Sequence, residues 1–482
     1  MHKIETYSYV GPLALGSVVA HHCAAAGLFA VKGGADIELL GETLGGDNLA
    51  LLVKSIGKNQ LQLKENNTPQ GRQTIGKSLL KFLRQEQGLS PLGSWGSLVG
   101  VRPTKLFHKK WDDLGSSQAA RETIGQQYEV SQEKLALLEK IAVLQRPYLL
   151  ISQKNDRQVS LYGGIPFCQT RCLYCSFPYG LIGDYLRLST FLQTYKQDIG
   201  HMQGLLRQYD LQVDALYLGG GTPTVLSDSD FTDWLVAMKQ LLINQESCEF
   251  TVEAGRPDSI TEAKLQAMVR AGVTRISLNP QTMQDSILRA IGRGHRASDI
   301  LAIYKKVRKQ TDFQINMDFI AGLPGQSMAA MKENAQHIGN LLPDNVTVHT
   351  LTLKKGSLLY TSPLRRDLPD ESEVQIMTTF MRDYLHKLGY VPYYVYRQQY
   401  MRGHLENIGY TRPGAVCRYN IHIMEERQPL LSMGPGSSSK WMRAPDYRQQ
   451  KMYMPKDVDT YIDTIGTLLA KRAKQSQTFW EE

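Results

Sequence analysis

The chain is poor in cysteine, with six in 482 residues. That excludes a scaffold built on disulfides and makes a reducing, cytoplasmic setting the expectation. It also lacks any apolar run near the ~20 residues that cross a bilayer, so no membrane span is expected. The opening MHKIETYSYVGPLALG has no charged start followed by a long apolar stretch, and no signal peptide is read there. Internal repeats and low-complexity tracts are missing too. What remains has the composition of an ordinary globular protein, 42% hydrophobic and 21% charged. Its length suits roughly two to four domains. Acidic residues fall short of basic ones, leaving a net charge of +9. Such an excess reads either as a solvated basic surface or as an attraction for a partner with several negative charges, a nucleic acid or a polycarboxylate.

Scarce as they are, the cysteines are not spread evenly. Cys168, Cys172 and Cys175 fall within YGGIPFCQTRCLYCSFPYG, while Cys23, Cys248 and Cys417 are scattered. Thiolates are soft ligands that suit zinc or an iron–sulfur cluster. Zinc would want a fourth ligand, and the run has neither a nearby histidine nor a second C-x2-C pair. A C-x3-C-x2-C loop can instead offer three sulfurs to three corners of a cubane and leave the fourth iron open to a small molecule.

The surroundings of that loop have a regular rhythm. Six β-like runs, QVSLYGGI, ALYLGGG, EFTVEAG, RISLNPQ, INMDFIAGLP and VTVHTLTL, are mostly separated by stretches of helical periodicity, among them 186–209, 230–243, 261–271 and 297–309. Alternating strands and helices predict a parallel sheet, and six βα units suit a partial (β/α)6 barrel of the TIM type. In such architectures functional groups collect at the C-terminal ends of the strands. The cysteine run follows the first strand and Gly219–Thr224 the second. Glu253 ends the third, Gln281 the fourth, and Asp318 lies in the fifth. The glycines of LGGGTPT permit close backbone approach, and their amides can bind a carboxylate or phosphate. Glu253, Gln281, Arg293 and Asp318 could hold hydroxyls, an amino group and a carboxylate.

Residues 1–150 read as a mixed α/β N-terminal domain, 151–355 as the barrel-like core, and 356–482 as an α+β C-terminal region on the substrate side. In the first of these, KSLLKFLRQEQG and ETIGQQYEVSQEKLALLEKIAVLQ have helical spacing, and Leu49–Val53 reads as a strand. The basic segment RPTKLFHKK between them offers a contact for phosphate or RNA, or a solvated helix face. The C-terminal region is tyrosine-rich and ends in a helix expected over 457–474.

The cysteine run is the signature of radical S-adenosylmethionine (SAM) enzymes. Taken with GGGTPT and GLPGQ, it resembles the oxygen-independent coproporphyrinogen III oxidase family. GVRPTK upstream, VHTLTLKKGS after the sixth strand, and YYVYRQQYMRGHLENIGYTRPG with YNIHIMEE downstream extend the resemblance over nearly the whole chain. It implies that Cys168, Cys172 and Cys175 ligate a [4Fe–4S] cluster whose open iron binds SAM. An electron then cleaves SAM to a 5′-deoxyadenosyl radical that takes hydrogen from substrate. It further implies that Tyr162, Gly220, Gly221, Thr222, Glu253, Gln281, Arg293, Asp318 and Thr352 contact SAM. The family's reaction turns two propionates of coproporphyrinogen III into the vinyls of protoporphyrinogen IX in anaerobic haem synthesis. It draws electrons from a one-electron reductant such as flavodoxin or ferredoxin. Two positions depart from the family pattern. Gly164 stands where many members have histidine, and Phe177 where they have a further cysteine. Phenylalanine at the latter position is shared with haem chaperones, so a haem-binding and delivery role is the second reading. A radical SAM enzyme acting on RNA is the third.

Overall fold

The computed structural model describes residues 5–481 apart from 27, 33, 45–47, 56–58, 89–91, 101, 155–156, 178–179, 243–247, 399–400 and 402–404. The chain divides into two compact units. One comprises Met1–Ala142, Thr350–Lys354 and Val395–Asn407; the other comprises Val143–His349, Lys355–Tyr394 and Ile408–Glu482.

The first unit opens with β1 (Thr6–Val10), α1 (Leu13–Ala25), β2 (Phe29–Ala30), β3 (Ile37–Leu44), β4 (Asn48–Ser55), β5 (Gln60–Asn66) and α2 (Pro69–Glu86). Its sheet has the order β2-β1-β3-β4-β5. Leu15, Val19, Ile75, Leu79 and Leu83 of the helices share one core with Ile37, Leu39, Leu51 and Val53 of the strands. Three helices follow, α3 (Pro103–Leu114), α4 (Ser117–Tyr128) and α5 (Gln132–Lys154), the last counted with this unit only as far as Ala142. The long helical stretch expected from periodicity is therefore two helices. Glu129 adopts φ 55 between them, held by ion pairs to Lys77 and Lys81, and Ser131 then accepts from Lys134 N to start α5. Much of RPTKLFHKK points inward. Thr104, Phe107 and His108 are buried, and Lys109 pairs with Asp113 at 3.0 Å. Glu406 ties the later segment of this unit down, accepting from Trp95 Nε1 at 2.7 Å and Lys134 Nζ at 2.5 Å.

The second unit contains β6 (Gln158–Ile165), β7 (Phe167–Cys168), β8 (Gly180–Leu181), α6 (Leu188–Gln208), β9 (Gln212–Gly220), α7 (Asp228–Lys239), β10 (Glu249–Glu253), α8 (Glu262–Ala271), β11 (Arg275–Ser277), α9 (Asp285–Ala290), α10 (Ala297–Gln310), β12 (Gln314–Ala321), α11 (Met328–Leu341) and β13 (Asn345–Thr350). All six expected strands form. In the sheet they stand in chain order as β6-β9-β10-β11-β12-β13, and the first five pair in parallel. This is the (β/α)6 core. Side-chain caps start its helices, as where Thr261 accepts from Lys264 N and Ser327 from Ala330 N.

The C-terminal region adds α12 (Glu371–Lys387), β14 (Val391–Tyr396), β15 (Asn407–Thr411), α13 (Arg418–Glu425), β16 (Leu430–Met433), β17 (Ser438–Trp441), β18 (Gln450–Tyr453) and α14 (Val458–Glu481). Its strands join the core sheet at both edges. β15 pairs antiparallel with β13, and β16 pairs parallel with β6, placing Leu430 opposite Ser160 and Met433 opposite Gly163. Strand pairing of this kind depends on long-range register, which local periodicity does not encode.

A buried ion pair holds the β16 edge in place. Asp198 of α6 and Arg472 of α14 meet at 2.5 Å, both fully enclosed. Arg472 also donates to Ser432 O at 2.9 Å, and Asp198 Oδ2 accepts from Tyr461 OH at 2.7 Å and Gly434 N at 3.0 Å. Every charged atom finds a partner on a different element. Removing one member strands the other in a dry interior, which costs about 3–5 kcal/mol. Asp198→Ala should therefore lower urea-unfolding stability by about that amount, while Asp198→Leu with Arg472→Met should recover most of it. A loss under about 1 kcal/mol for Asp198→Ala would contradict this role.

Candidate functional site

The cysteine loop leaves β7 at the C-terminal end of the first core strand. Its three sulfurs are half-buried. The backbone turns through Cys175 N to Cys172 O at 3.1 Å. Neighbouring loops then pin it at several points. Leu173 N donates to Ile291 O and Leu359 N to Leu173 O, at 2.9 and 2.8 Å. Thr170 Oγ1 donates to Gly292 O at 3.2 Å, Arg171 to Gly356 O at 3.2 Å, and Arg256 to Thr170 O at 3.3 Å. Burial pushes the Cys168 and Cys175 thiols up, and the other sulfurs add to the effect. Among the described residues no three His, Cys, Asp or Glu side chains converge as ligands of a single ion. Three spaced thiolates suit the separate corners of a cluster, which takes one sulfur per iron.

The glycine turn after β9 has an unexpected task. Gly221 N donates to Ile165 O and Thr222 N to Phe167 O, both at 2.8 Å. Those amides hold the strand extension that delivers Cys168, whose sulfur lies 3.7 Å from Thr222 Oγ1. Gly220 sits at φ +106, where a Cβ would come 2.7 Å from Ile165 O. At Gly219 a Cβ would come 2.7 Å from the Glu253 carboxylate. The glycines thus let three chain segments crowd together at the loop's root.

Around this root lie the polar residues picked out from the sequence. Glu253, at the end of β10, accepts from Tyr217 OH at 2.6 Å. Burial and the nearby Asp318 push its carboxyl up to about 7. Asp318 is buried as well, which would raise it, but His349, Asn316 and Thr347 outweigh burial and hold it below the usual range. Asn316 Nδ2 donates to it at 2.8 Å and His349 Nε2 lies 3.8 Å away. Gln281 takes φ 68, uncommon for a residue with a side chain. Its backbone exchanges bonds with Asp318 O and Ile320 N, both at 2.9 Å. Arg293 donates to Gly255 O at 3.1 Å, Asn279 O at 2.8 Å and Tyr174 OH at 3.0 Å. Burial opposes its charge, but Tyr174 and Cys172 outweigh burial and raise its pKa.

Three atoms in this ring are buried without partners: Gln281 Oε1, Asn279 Oδ1 and Arg293 Nε. Two acceptors and a donor left open at one rim are what a polar ligand with amino, hydroxyl and carboxylate groups would satisfy. The residues therefore fit a cluster with SAM. Thr352 belongs to the first unit, where it bridges to Met401.

Tyr162 stacks with Tyr217 and Tyr419, ring centroids 6.4 Å away in each case, and those two lie 4.4 Å apart. Tyr162 and Tyr419 wall a cavity of about 430 Å³ with Ser176, Phe177, Ile423, residues 435–438 of the β16–β17 turn, and Lys456. Sequence reasoning missed Tyr174, Tyr217, Asn279, Arg256 and Tyr419. Tyr174 lies inside the cysteine motif and Tyr217 just before the glycines, so proximity could have flagged them. Tyr419 reaches the site only because Glu249 at the base of β10 accepts from Arg418 N at 2.9 Å and Tyr419 N at 3.1 Å, seating α13.

Glu253 yields a pH test. Its folded pKa near 7 lies above its ordinary 4.5. The folded chain therefore binds the proton more tightly, and this stability, present below pH 4.5, is lost as pH rises through 7. Replacement by Gln should spare the cofactor-free protein a loss on the order of 3 kcal/mol between those limits. A wild-type-minus-variant stability difference that stays flat from pH 5 to 8 would show that no neutral carboxyl is held there.

Residues 163–338 match the radical SAM superfamily. The chain is 34% identical to the oxygen-independent coproporphyrinogen-III oxidase-like protein HemZ of Bacillus subtilis, over 86% of this chain and 82% of that protein. It is 27% identical to the heme chaperone HemW of Lactococcus lactis, over 58% of this chain and 69% of the chaperone. Among solved structures, coproporphyrinogen III oxidase (HemN) of Escherichia coli is similar at 19% identity and TM-score 0.48, over 71% of this chain and 82% of that one. The chain belongs to the radical SAM superfamily, in its group of oxygen-independent coproporphyrinogen III oxidase-like proteins, and its cofactors are a [4Fe–4S] cluster and SAM.

Proposed function

We propose that this protein is an oxidoreductase that oxidatively decarboxylates two propionates of coproporphyrinogen III, giving the vinyls of protoporphyrinogen IX without oxygen. The observation that carries this reading is the extent of likeness. The HemZ match spans 86% of the chain, the HemW match 58%. The cavity beside the cysteine loop agrees with it, being within the usual ~300–1,000 Å³ of small-molecule sites and walled by tyrosines and apolar groups. Each propionate loses a hydrogen atom to the radical, its carboxylate as carbon dioxide, and one electron to a one-electron acceptor.

When bound, the cluster and SAM supply a radical that takes hydrogen, fed by a one-electron reductant such as flavodoxin or ferredoxin. The chain's own work is to hold and to exclude. Cys168, Cys172 and Cys175 hold the cluster. Glu253, Gln281, Arg293 and Asp318 would hold SAM, while Gly220, Gly221 and Thr222 hold the strand extension that delivers Cys168. Tyr162 stacks with Tyr217 and Tyr419 and lines the cavity, and this aromatic wall would keep water from the reacting carbon.

A haem-binding and delivery role is supported by the two departures from the family pattern. At Gly164 a Cβ would come 3.1 Å from the Tyr162 ring, so any side chain there requires that ring to give by a few tenths of an ångström. Phe177 is 58% exposed on the cavity wall.

Anaerobically reconstituted protein with SAM, reductant and coproporphyrinogen III should yield harderoporphyrinogen and protoporphyrinogen by mass spectrometry. Release of 5′-deoxyadenosine with no vinyl product defeats the substrate assignment. A stoichiometric Soret band on haem addition, with transfer to an apo-cytochrome and no consumption of coproporphyrinogen, establishes the second role instead. Replacing Cys168, Cys172 or Cys175 by Ala should abolish the visible absorbance of the reconstituted protein; retention in all three variants overturns the ligand set.

A further inference from the structure

The cavity beside the cysteine loop is lined unevenly. Tyr162, Phe177 and Tyr419 present aromatic surface, while Ser176, Ser438 and Lys456 bring polar groups. The three polar side chains have no hydrogen-bond or ion-pair partner among the described residues. Two cations on nearby elements are paired, Lys440 of β17 with Glu426 at 2.7 Å and Arg472 of α14 with Asp198. Lys456 is left unpaired although Asp457 follows it directly. The Asp457 carboxylate is engaged at the start of α14, where its Oδ1 accepts from Thr460 N at 2.8 Å and Thr460 Oγ1 at 2.7 Å.

The backbone that carries Lys456 is fixed. Gly436 N donates to Pro455 O at 2.7 Å and Met454 N to Ser437 O at 2.9 Å. These bonds fasten the residues just before Lys456 to the turn that forms the cavity wall. The side chain itself is exposed at the cavity it lines. Of the residues assigned to SAM, only Tyr162 lines this space.

We propose that this cavity receives one carboxylate-bearing pyrrole ring of a tetrapyrrole substrate, with Lys456 as the cation that takes the carboxylate and Ser176 and Ser438 as its further donors. A carboxylate has two oxygens and accepts only; an ammonium and two hydroxyls supply the donors it needs. One cation answers one acidic arm, and the aromatic wall meets the ring from which that arm extends. The assignment rests on the tetrapyrrole reading above and makes Lys456 a specificity-determining residue of that site.

The test titrates anaerobically reconstituted, SAM-loaded protein with coproporphyrin III and, separately, with its tetramethyl ester, following porphyrin fluorescence. Lys456→Met should weaken binding of the acid about tenfold and leave the ester within about twofold, while Lys456→Arg should keep the acid within about threefold. SAM affinity, measured by equilibrium dialysis, should not move. Unchanged binding of the acid by Lys456→Met overturns the proposal, as does equal weakening of acid and ester, or wild-type protein that binds no porphyrin. A fall in SAM affinity also overturns it, by giving the cavity to the cofactor. Failure of the catalytic reading is seen separately, as the binding pattern intact with no vinyl product formed.

Discussion

The buried contact between Asp198 and Arg472 is the constraint on which the site's outer wall depends. It joins α6, which follows the cysteine loop, to the last helix of the chain, and its spare hydrogen bonds fall on Ser432 and Gly434. Gly434, at φ +88, can then pack on the carbonyl of Gly164 in the first core strand. A charged pair in a dry interior is tolerable only when each partner is satisfied, and here the surplus bonds are what fix the turn. The turn forms one side of the cavity. Residues that bound this space are thus held by an ion pair that does not itself line it.

A second buried arrangement brings in the opposite wall. Glu249 and Arg275 lie at the base of the core strands, away from the cysteines. Arg275 donates to Ala415 O and Val416 O at 3.0 Å, and Glu249 caps α13 through Arg418 N and Tyr419 N. The helix therefore enters beside β9, and Tyr419 stacks on Tyr217. Through the Tyr217 hydroxyl this stack reaches Glu253, so the cavity wall and the buried polar ring share one aromatic element. Polar groups at the two ends of the core strands thus serve different purposes: those at the base fasten the fold, and those at the far end are left open.

That openness has a physical price. Gln281 is held at a positive φ, burial pushes the Glu253 carboxyl up to about 7, and atoms of Gln281, Asn279 and Arg293 lack partners in an enclosed ring. Strain and unsatisfied groups of this kind persist where surrounding structure over-determines them, and they mark where a ligand completes the network.

What the sequence determined by itself was local. The spacing of Cys168, Cys172 and Cys175, the glycines after β9 and the six alternating strands are written within windows of a few residues, because metal ligation, tight turns and strand periodicity are short-range properties. Those features located the cysteine loop, the glycine turn and the end of each core strand. Tertiary structure decided the rest. Pairing of β16 with β6, seating of α13 on Glu249 and burial of Arg472 against Asp198 join residues hundreds of positions apart, and their partners have no mark of their own in sequence. For the same reason the glycine amides read as a ligand cradle in isolation, yet in the fold Gly221 and Thr222 spend theirs on Ile165 and Phe167, since only the folded sheet brings those carbonyls within reach.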